Sequence, residues 1–425
     1  MDNNKFYLVA ADMGYGHQRA AYPLLEMSQG GIINLNDYLE IDAWEKAYWK
    51  NSQKTYEKIS YFKRIPFFGE LVFKAMDYFQ RIEDFYPRRD LSELTLQQKI
   101  FFKAVKKGVG KKLINKLNQE PLPLVTTFFV AAYCAEYYHY QGPIYCIVCD
   151  ADISRAWAPI DPKTSKIIYL CPNERVAQRL LQYGVVKDKI KVTGFPLPSE
   201  NIGLDGVFLN EDLKRRIAAL DPSSSFRKKY HGVIKNDFFD PLGSGQSVSL
   251  TFAVGGAGAQ RELGVLILAK LQNYLRSGKL NLNLVAGSRQ DVNEYFQKNI
   301  SSLKLDGLNN IKIIYHPQKM EYFRLFNQCL RYTDILWTKP SELSFYAGLG
   351  LPIIMSEPVG AQEKFNREWL IGIGAGLDSL DPLFVDEWLF DWLEDGRLAR
   401  ASLNGYLNAG HGGVINMERE IFSNF

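Results

Sequence analysis

The chain has 425 residues, 46% hydrophobic and 23% charged, with a formal net charge of +4. That length predicts two or three domains, and the composition places the chain among ordinary soluble globular proteins. No stretch approaches the roughly 20 apolar residues of a membrane span, and the polar start running straight into a strand leaves no room for a signal peptide, so the expected compartment is the cytoplasm.

In chain order, apolar runs predict strands at 6–11, 32–36, 124–130, 144–148, 166–170 and 189–192, with helices at 14–27 and 174–183. A long basic helical region fills the gap up to about residue 117. Between Glu45 and Lys116 it holds 17 Lys/Arg against 8 Asp/Glu, so the remainder of the chain is acidic. Its aromatics (Trp44, Tyr48, Trp49, Tyr56, Tyr61, Phe62 and the run 65–73) interleave with lysines. Such a segment either lies on an anionic membrane surface or packs its aromatics inward and solvates its lysines. Nucleic acid is not expected, because no recognised binding motif accompanies the charge. Residues 199–245 carry breaker clusters at 222–225 and 240–245 and read as a connector with one charged helix, 211–220. A second alternation follows, with strands at 248–254, 281–286, 311–315, 335–337 and 353–355 and helices at 260–274, 291–300 and 320–328. The segment 385–393 and the turn Gly410, Gly412, Gly413 precede a final polar helix. Strands alternating with helices predict parallel sheets covered on both faces, hence an α/β protein.

Cys146 and Cys149 lie within the strand-like run 144–150. Residues three apart on a strand face opposite ways, and no second pair or nearby His completes a zinc site, so core packing is expected and no disulfide framework.

Several loops carry residues suited to chemistry. Gly14 and Gly16 turn the chain between strand and helix and bring His17 near the helix start, at the carboxyl end of the sheet where ligands bind. A neutral imidazole there either accepts a hydroxyl proton or caps the helix, and Asp12 is a second candidate for base or orienting group. Asp150 and Asp152 are acceptor-site polar groups or caps. Gly255, Gly256, Ala257 and Gly258 join a buried strand to a helix: a plain tight turn, or a loop whose N–H groups stabilise a diphosphate. Gly287, Ser288 and Arg289 follow the next strand, and His316 the one after it. The stretch 338–352 supplies a polar turn, a short helix and the stop Gly350, Leu351, Pro352 before another strand, and Gln362, Glu363 and Asn366 lie beyond.

In order and spacing these motifs resemble the GT-B glycosyltransferases of the group that includes monogalactosyldiacylglycerol synthase and the peptidoglycan N-acetylglucosaminyl transferase. The match extends through Trp157, Asn173, Glu174 and the exit Val192, Thr193, Gly194, Phe195, Pro196, and it spans the chain except the basic insertion and the connector. The resemblance implies a GT-B-like fold of two Rossmann-type domains facing across a cleft. An N-terminal acceptor domain covers 1–198 with its insertion at about 45–116, a connector covers 199–245, and a nucleotide-sugar domain covers 246–425, its last helix free to cross back. It implies inverting transfer of a sugar from a nucleotide-sugar, UDP-linked, to a lipid, lipid-linked or glycan acceptor, without cofactor or metal, in the cytoplasm or on the inner membrane face.

By the same resemblance His17 and Asp12 are catalytic, and Gly14, Gly16, Asp150 and Asp152 lie on the acceptor side. Gly255, Gly256, Ala257 and Gly258 hold the donor diphosphate. Gly287, Ser288, Arg289, His316 and Glu342 meet the nucleotide, and Gln362, Glu363 and Asn366 the donor sugar. Two positions depart from the family. Phe345 stands near its ribose-binding Glu, so Glu342, three residues earlier, either takes over that contact or caps the helix with Ser341. Arg155 stands near where a histidine is often found. Two other readings remain: an epimerase or hydrolase of nucleotide-sugars on the same fold, and a non-catalytic nucleotide-sugar or membrane-binding protein.

Overall fold

The computed structural model describes residues 5–62, 81–234, 247–255, 258, 260–358 and 361–423. Among these, two sheets form, and every strand pairing is parallel. The first contains β1 (Phe6–Ala10), β2 (Ser28–Asn34), β3 (Leu124–Thr126), β4 (Ile144–Ile147), β5 (Ile167–Cys171) and β6 (Ile190–Val192), in the order β2-β1-β3-β4-β5-β6. The second contains β7 (Val248–Ala253), β8 (Leu280–Gly287), β9 (Ile311–Tyr315), β10 (Ile335–Thr338), β11 (Ile353–Met355) and β12 (Gly376–Asp378), in the order β12-β11-β10-β7-β8-β9. That second order is the Rossmann arrangement. Strands covered on both faces have no solvent side, which is why β4, β7 and β10 are buried at every residue and written almost wholly in apolar or small residues.

The chain divides into two units, one comprising Met1–Pro196, Gly360–Phe365 and Gly412–Phe425, the other Leu197–Val359 and Asn366–His411. The closing helix Gly413–Phe422 belongs to the first: Met417 and Ile421 are fully buried in a cluster with Phe6, Leu8, Tyr145 and Leu170. It approaches so closely that a Cβ on Gly413 would stand 2.1 Å from the carbonyl oxygen of Phe195.

Several expectations change: the helix expected at 14–27 is the α-helix Gly16–Ala21 followed by the 3-10 helix Tyr22–Met27, and the strand expected at 32–36 is Ser28–Asn34. The run 124–130 is a strand only to Thr126; the Thr126 hydroxyl accepts from the Phe128 N–H at 3.0 Å, and the chain turns into the helix Phe129–Tyr137. That helix is buried from Phe129 to Ala135, and a continuous apolar run carries no period that separates helix from strand. The expected helix 260–274 is two, Arg261–Lys270 and Gln272–Arg276. The expected connector is built into the second unit as far as it is described, to residue 234: the helices Val207–Ala219 and Ser225–Tyr230 place Leu213, Ile217, Leu220 and Phe226 in that unit's core.

Within the basic insertion, the helix Ala43–Phe62 is anchored by Glu45, whose buried carboxylate accepts from the Gly110 N–H at 2.8 Å and the Tyr38 hydroxyl at 2.9 Å. Trp49 is buried beside it while Trp44 is exposed, and Lys46, Lys112 and Lys116 pair with Asp37, Asp42 and Glu40. The aromatic run 65–73 lies outside the described residues. Cys146 and Cys149 are both buried, as core packing requires, and burial raises the Cys146 thiol. No helix of the described residues is long and apolar enough to cross a membrane.

Candidate functional site

In an open parallel sheet, ligands bind beyond the carboxyl ends of the two strands where the order reverses, because there the crossovers leave in opposite directions. In the first unit those strands are β1 and β3. The loop leaving β1 carries Asp12, Gly14, Gly16 and His17, with Gly14 exposed and Asp12, Gly16 and His17 half-buried. Its backbone is pinned by Asn36, whose Oδ1 accepts from the Asp12 N–H at 2.8 Å while its Nδ2 donates to the Asp12 carbonyl at 3.0 Å.

His17 is held from the end of β3. Its Nδ1 lies 2.6 Å from the carbonyl oxygen of Thr127, while the Thr127 hydroxyl donates to the His17 carbonyl at 2.9 Å. A carbonyl only accepts, so Nδ1 carries the proton and the lone pair a base needs stands on Nε2. Phe128 meets the imidazole edge-on at 5.1 Å. Thr127, which the sequence did not single out, sets both the place and the tautomer of this ring.

Two acceptor-side expectations fare differently. Asp150 is half-buried beyond the end of β4. Asp152 is not an acceptor contact: it is buried, Oδ1 takes the Arg179 Nε–H at 2.8 Å, and Oδ2 takes Arg179 Nη2 at 2.9 Å and Arg175 Nε at 2.8 Å. Arg155 is likewise structural, donating to the carbonyls of Ser92, Ala158 and Pro159. Its burial lowers its pKa.

In the second unit the order reverses between β7 and β10, and Thr338 pairs directly with Ala253, so the two strands end level and their loops emerge side by side. The loop from β7 is a turn closed by the Gly258 N–H on the Gly255 carbonyl at 2.8 Å; Gly256 and Ala257 lie outside the described residues. Against Gly255 lies Lys339, the first residue after β10. Against Gly258 lies Arg289, its Nε 3.0 Å from where a Cβ would stand. Arg289 is committed to Asp291 through Nε at 3.0 Å and Nη2 at 3.1 Å, and this pairing lowers the Asp291 carboxyl. Gly287 and Ser288 lead from the end of β8 into that arginine.

The expected short helix after β10 is a 3-10 helix, Glu342–Leu349. Its side chains repeat every three residues, so Glu342 stands one turn before Phe345 on the same edge. Phe345 is buried against Trp369 at 4.9 Å, whereas Glu342 is half-buried, and Ser341 makes no side-chain cap. His316 ties two loops: its N–H donates to the Gly287 carbonyl at 3.1 Å, and its Nδ1 accepts from the Gln318 N–H at 3.1 Å. Gln362 and Glu363, which fall in the first unit, are half-buried in the first turn of the helix Ala361–Gly372. Asn366 departs from its expected sugar contact; it is fully buried and its Nδ2 donates to the Pro340 carbonyl at 3.3 Å, bracing the loop after β10.

A family model described as a domain of unknown function (DUF6938) matches residues 296–376, which include β9, β10 and the Thr338 loop. A processive diacylglycerol beta-glucosyltransferase of Bacillus subtilis is 22% identical over 303 residues, covering 68% of this chain and 66% of that protein. The protein of the same name from Bacillus pumilus is 22% identical over 408 residues, covering 91% of this chain and 88% of that one. Among solved structures, MurG of Acinetobacter baumannii matches with a TM-score of 0.50 at 12% identity over 99% of each chain. The chain resembles the GT-B glycosyltransferases. Its fold is theirs, two parallel α/β units.

The buried Asp152 generates a prediction. Asp152→Ala leaves the Arg179 guanidinium buried without its carboxylate, so unfolding in urea should show a loss of about 3–5 kcal/mol. A variant as stable as the parent that instead loses acceptor affinity would restore the ligand role.

Proposed function

We propose that this chain is a glycosyltransferase that moves a sugar from a UDP-linked donor to a lipid acceptor, inverting the anomeric centre. The observation that carries the reading is the level ending of β7 and β10, which presents the Gly255 turn and the Thr338–Glu342 loop together at the reversal of strand order. Backbone N–H groups of a glycine turn leading into a helix suit a diphosphate, whose charge grows as the sugar bond breaks. Glu342, on the edge occupied by Phe345 one turn later, takes the ribose hydroxyls; Gln362 and Glu363 meet the donor sugar. The name shared by the Bacillus relatives supports a diacylglycerol-type acceptor.

His17 is the base. With its proton held on Nδ1 by Thr127, Nε2 takes the proton of the acceptor hydroxyl as that oxygen attacks the anomeric carbon. Asp12 orients the hydroxyl. The nucleotide-sugar is itself the substrate, and no cofactor is assigned.

UDP at about 100 times its dissociation constant should stabilise the protein by about 2.7 kcal/mol, read as a rise in Tm. If no uridine nucleotide or nucleotide-sugar shifts the transition, the donor assignment fails.

His17→Ala should lower kcat by about 10²- to 10⁴-fold while UDP affinity and Tm stay as in the parent. Retained turnover would move the base to Asp12 or elsewhere.

The basic insertion is proposed to hold the protein on an anionic bilayer, where each lysine near the surface contributes about 1 kcal/mol. Sedimentation with vesicles should rise with the fraction of anionic lipid and fall as salt shortens the Debye length. Binding indifferent to both would assign the lysines to solvation alone.

A further inference from the structure

A cation lies on the glycine turn, and its role follows from its position, given the donor reading above. A Cβ on Gly255 would stand 2.9 Å from Lys339 Cε, 3.3 Å from Cδ and 3.7 Å from Nζ. The stem of Lys339 therefore lies against Gly255, which has no side chain to displace it, and its ammonium ends beside that residue. The backbone that carries it is braced from several directions. The Thr338 hydroxyl donates to the Ala253 carbonyl at 3.3 Å, and the Ser356 N–H donates to the Thr338 carbonyl at 3.0 Å. The Ser341 N–H donates to the Lys339 carbonyl at 2.8 Å, and buried Asn366 holds the Pro340 carbonyl. Lysine stems are flexible, so such bracing decides which patch of backbone the charge serves. Arg289, at the other end of the turn, already gives two N–H groups to Asp291.

We propose that Lys339 is a catalytic residue that meets the donor's diphosphate and stabilises it as it departs. In the transfer step the acceptor oxygen forms its bond to the anomeric carbon while the bond from that carbon to the β-phosphate oxygen breaks. The electron pair of the broken bond stays on the phosphate oxygen, the acceptor's proton passes to the base, and UDP leaves with one more negative charge than it carried as an ester. The ammonium of Lys339 stands where that added charge falls, so its attraction is stronger in the transition state than toward the intact donor.

The test compares uridine, UDP and turnover of a UDP-sugar in the parent, Lys339→Met and Lys339→Arg. Lys339→Met should weaken UDP about 10- to 100-fold and lower kcat further, with uridine affinity and Tm unchanged; Lys339→Arg should recover most of the UDP affinity. A Lys339→Met protein that binds UDP and turns over like the parent overturns the role of Lys339 while leaving the donor assignment standing. So does equal loss of uridine and UDP with a lowered Tm, which marks a structural lysine. A parent protein that binds no UDP removes the donor assignment first, and this proposal with it.

Discussion

Two neighbouring parallel strands cannot be joined by a tight turn, so every connection must cross a face of the sheet. Where successive crossovers run in opposite directions from one strand pair, the carboxyl ends of that pair are left uncovered. Each sheet reverses once among the described strands, at β1/β3 and at β7/β10. The pairings there are tight: Val9 stands opposite Thr126, and Ala253 opposite Thr338. Residues far apart in sequence thereby arrive within a few ångströms, His17 on the carbonyl of Thr127 and Lys339 on Gly255. The chemistry available to the protein is a consequence of strand order.

Away from those openings the same residue types serve a different purpose. A charge inside the protein is tolerated only when it is answered by an opposite charge or by several oriented dipoles. Asp152 meets Arg179 and Arg175, Asp334 meets Arg215, and Arg216 donates to the carbonyls of Thr333 and Leu349. Burial lowers Arg216 to about 10, so it remains charged at neutral pH. These groups hold loops and helices to the sheets. Their burial separates them from His17, which is half-buried and is held through Nδ1 by the Thr127 carbonyl.

Much of this was legible in the amino-acid order because central parallel strands have no wet face, and all eleven runs marked as strands overlap a strand of the structure. The glycine loops and the stretch after β10 were legible too, since a tight turn at a strand end demands particular residues. What failed depended on pairing across the chain. Asp152 and Arg179 are 27 residues apart, and His17 and Thr127 are 110 apart, so neither partnership leaves a local mark. The connector misled for another reason: its breaker cluster at 222–225 is a real turn, but the spacing of Leu209, Leu213, Ile217 and Leu220 is that of a helix with one buried face. The helix was legible at 211–220, but its charge hid the buried face that joins the second unit's core.

The chain enters the second unit near Leu197 and returns to the first near Gly412. Met417 and Ile421 thus leave the ribosome long after Phe6 and Leu8, with which they cluster. Until the final helix emerges, that face of the sheet has Ala21 and Leu24 against it but not Met417 and Ile421. From the end of β6 at Val192 until residues 413–422 are made, the nascent chain carries an apolar layer lacking its last cover, a period in which a chaperone or a neighbouring chain competes for their place.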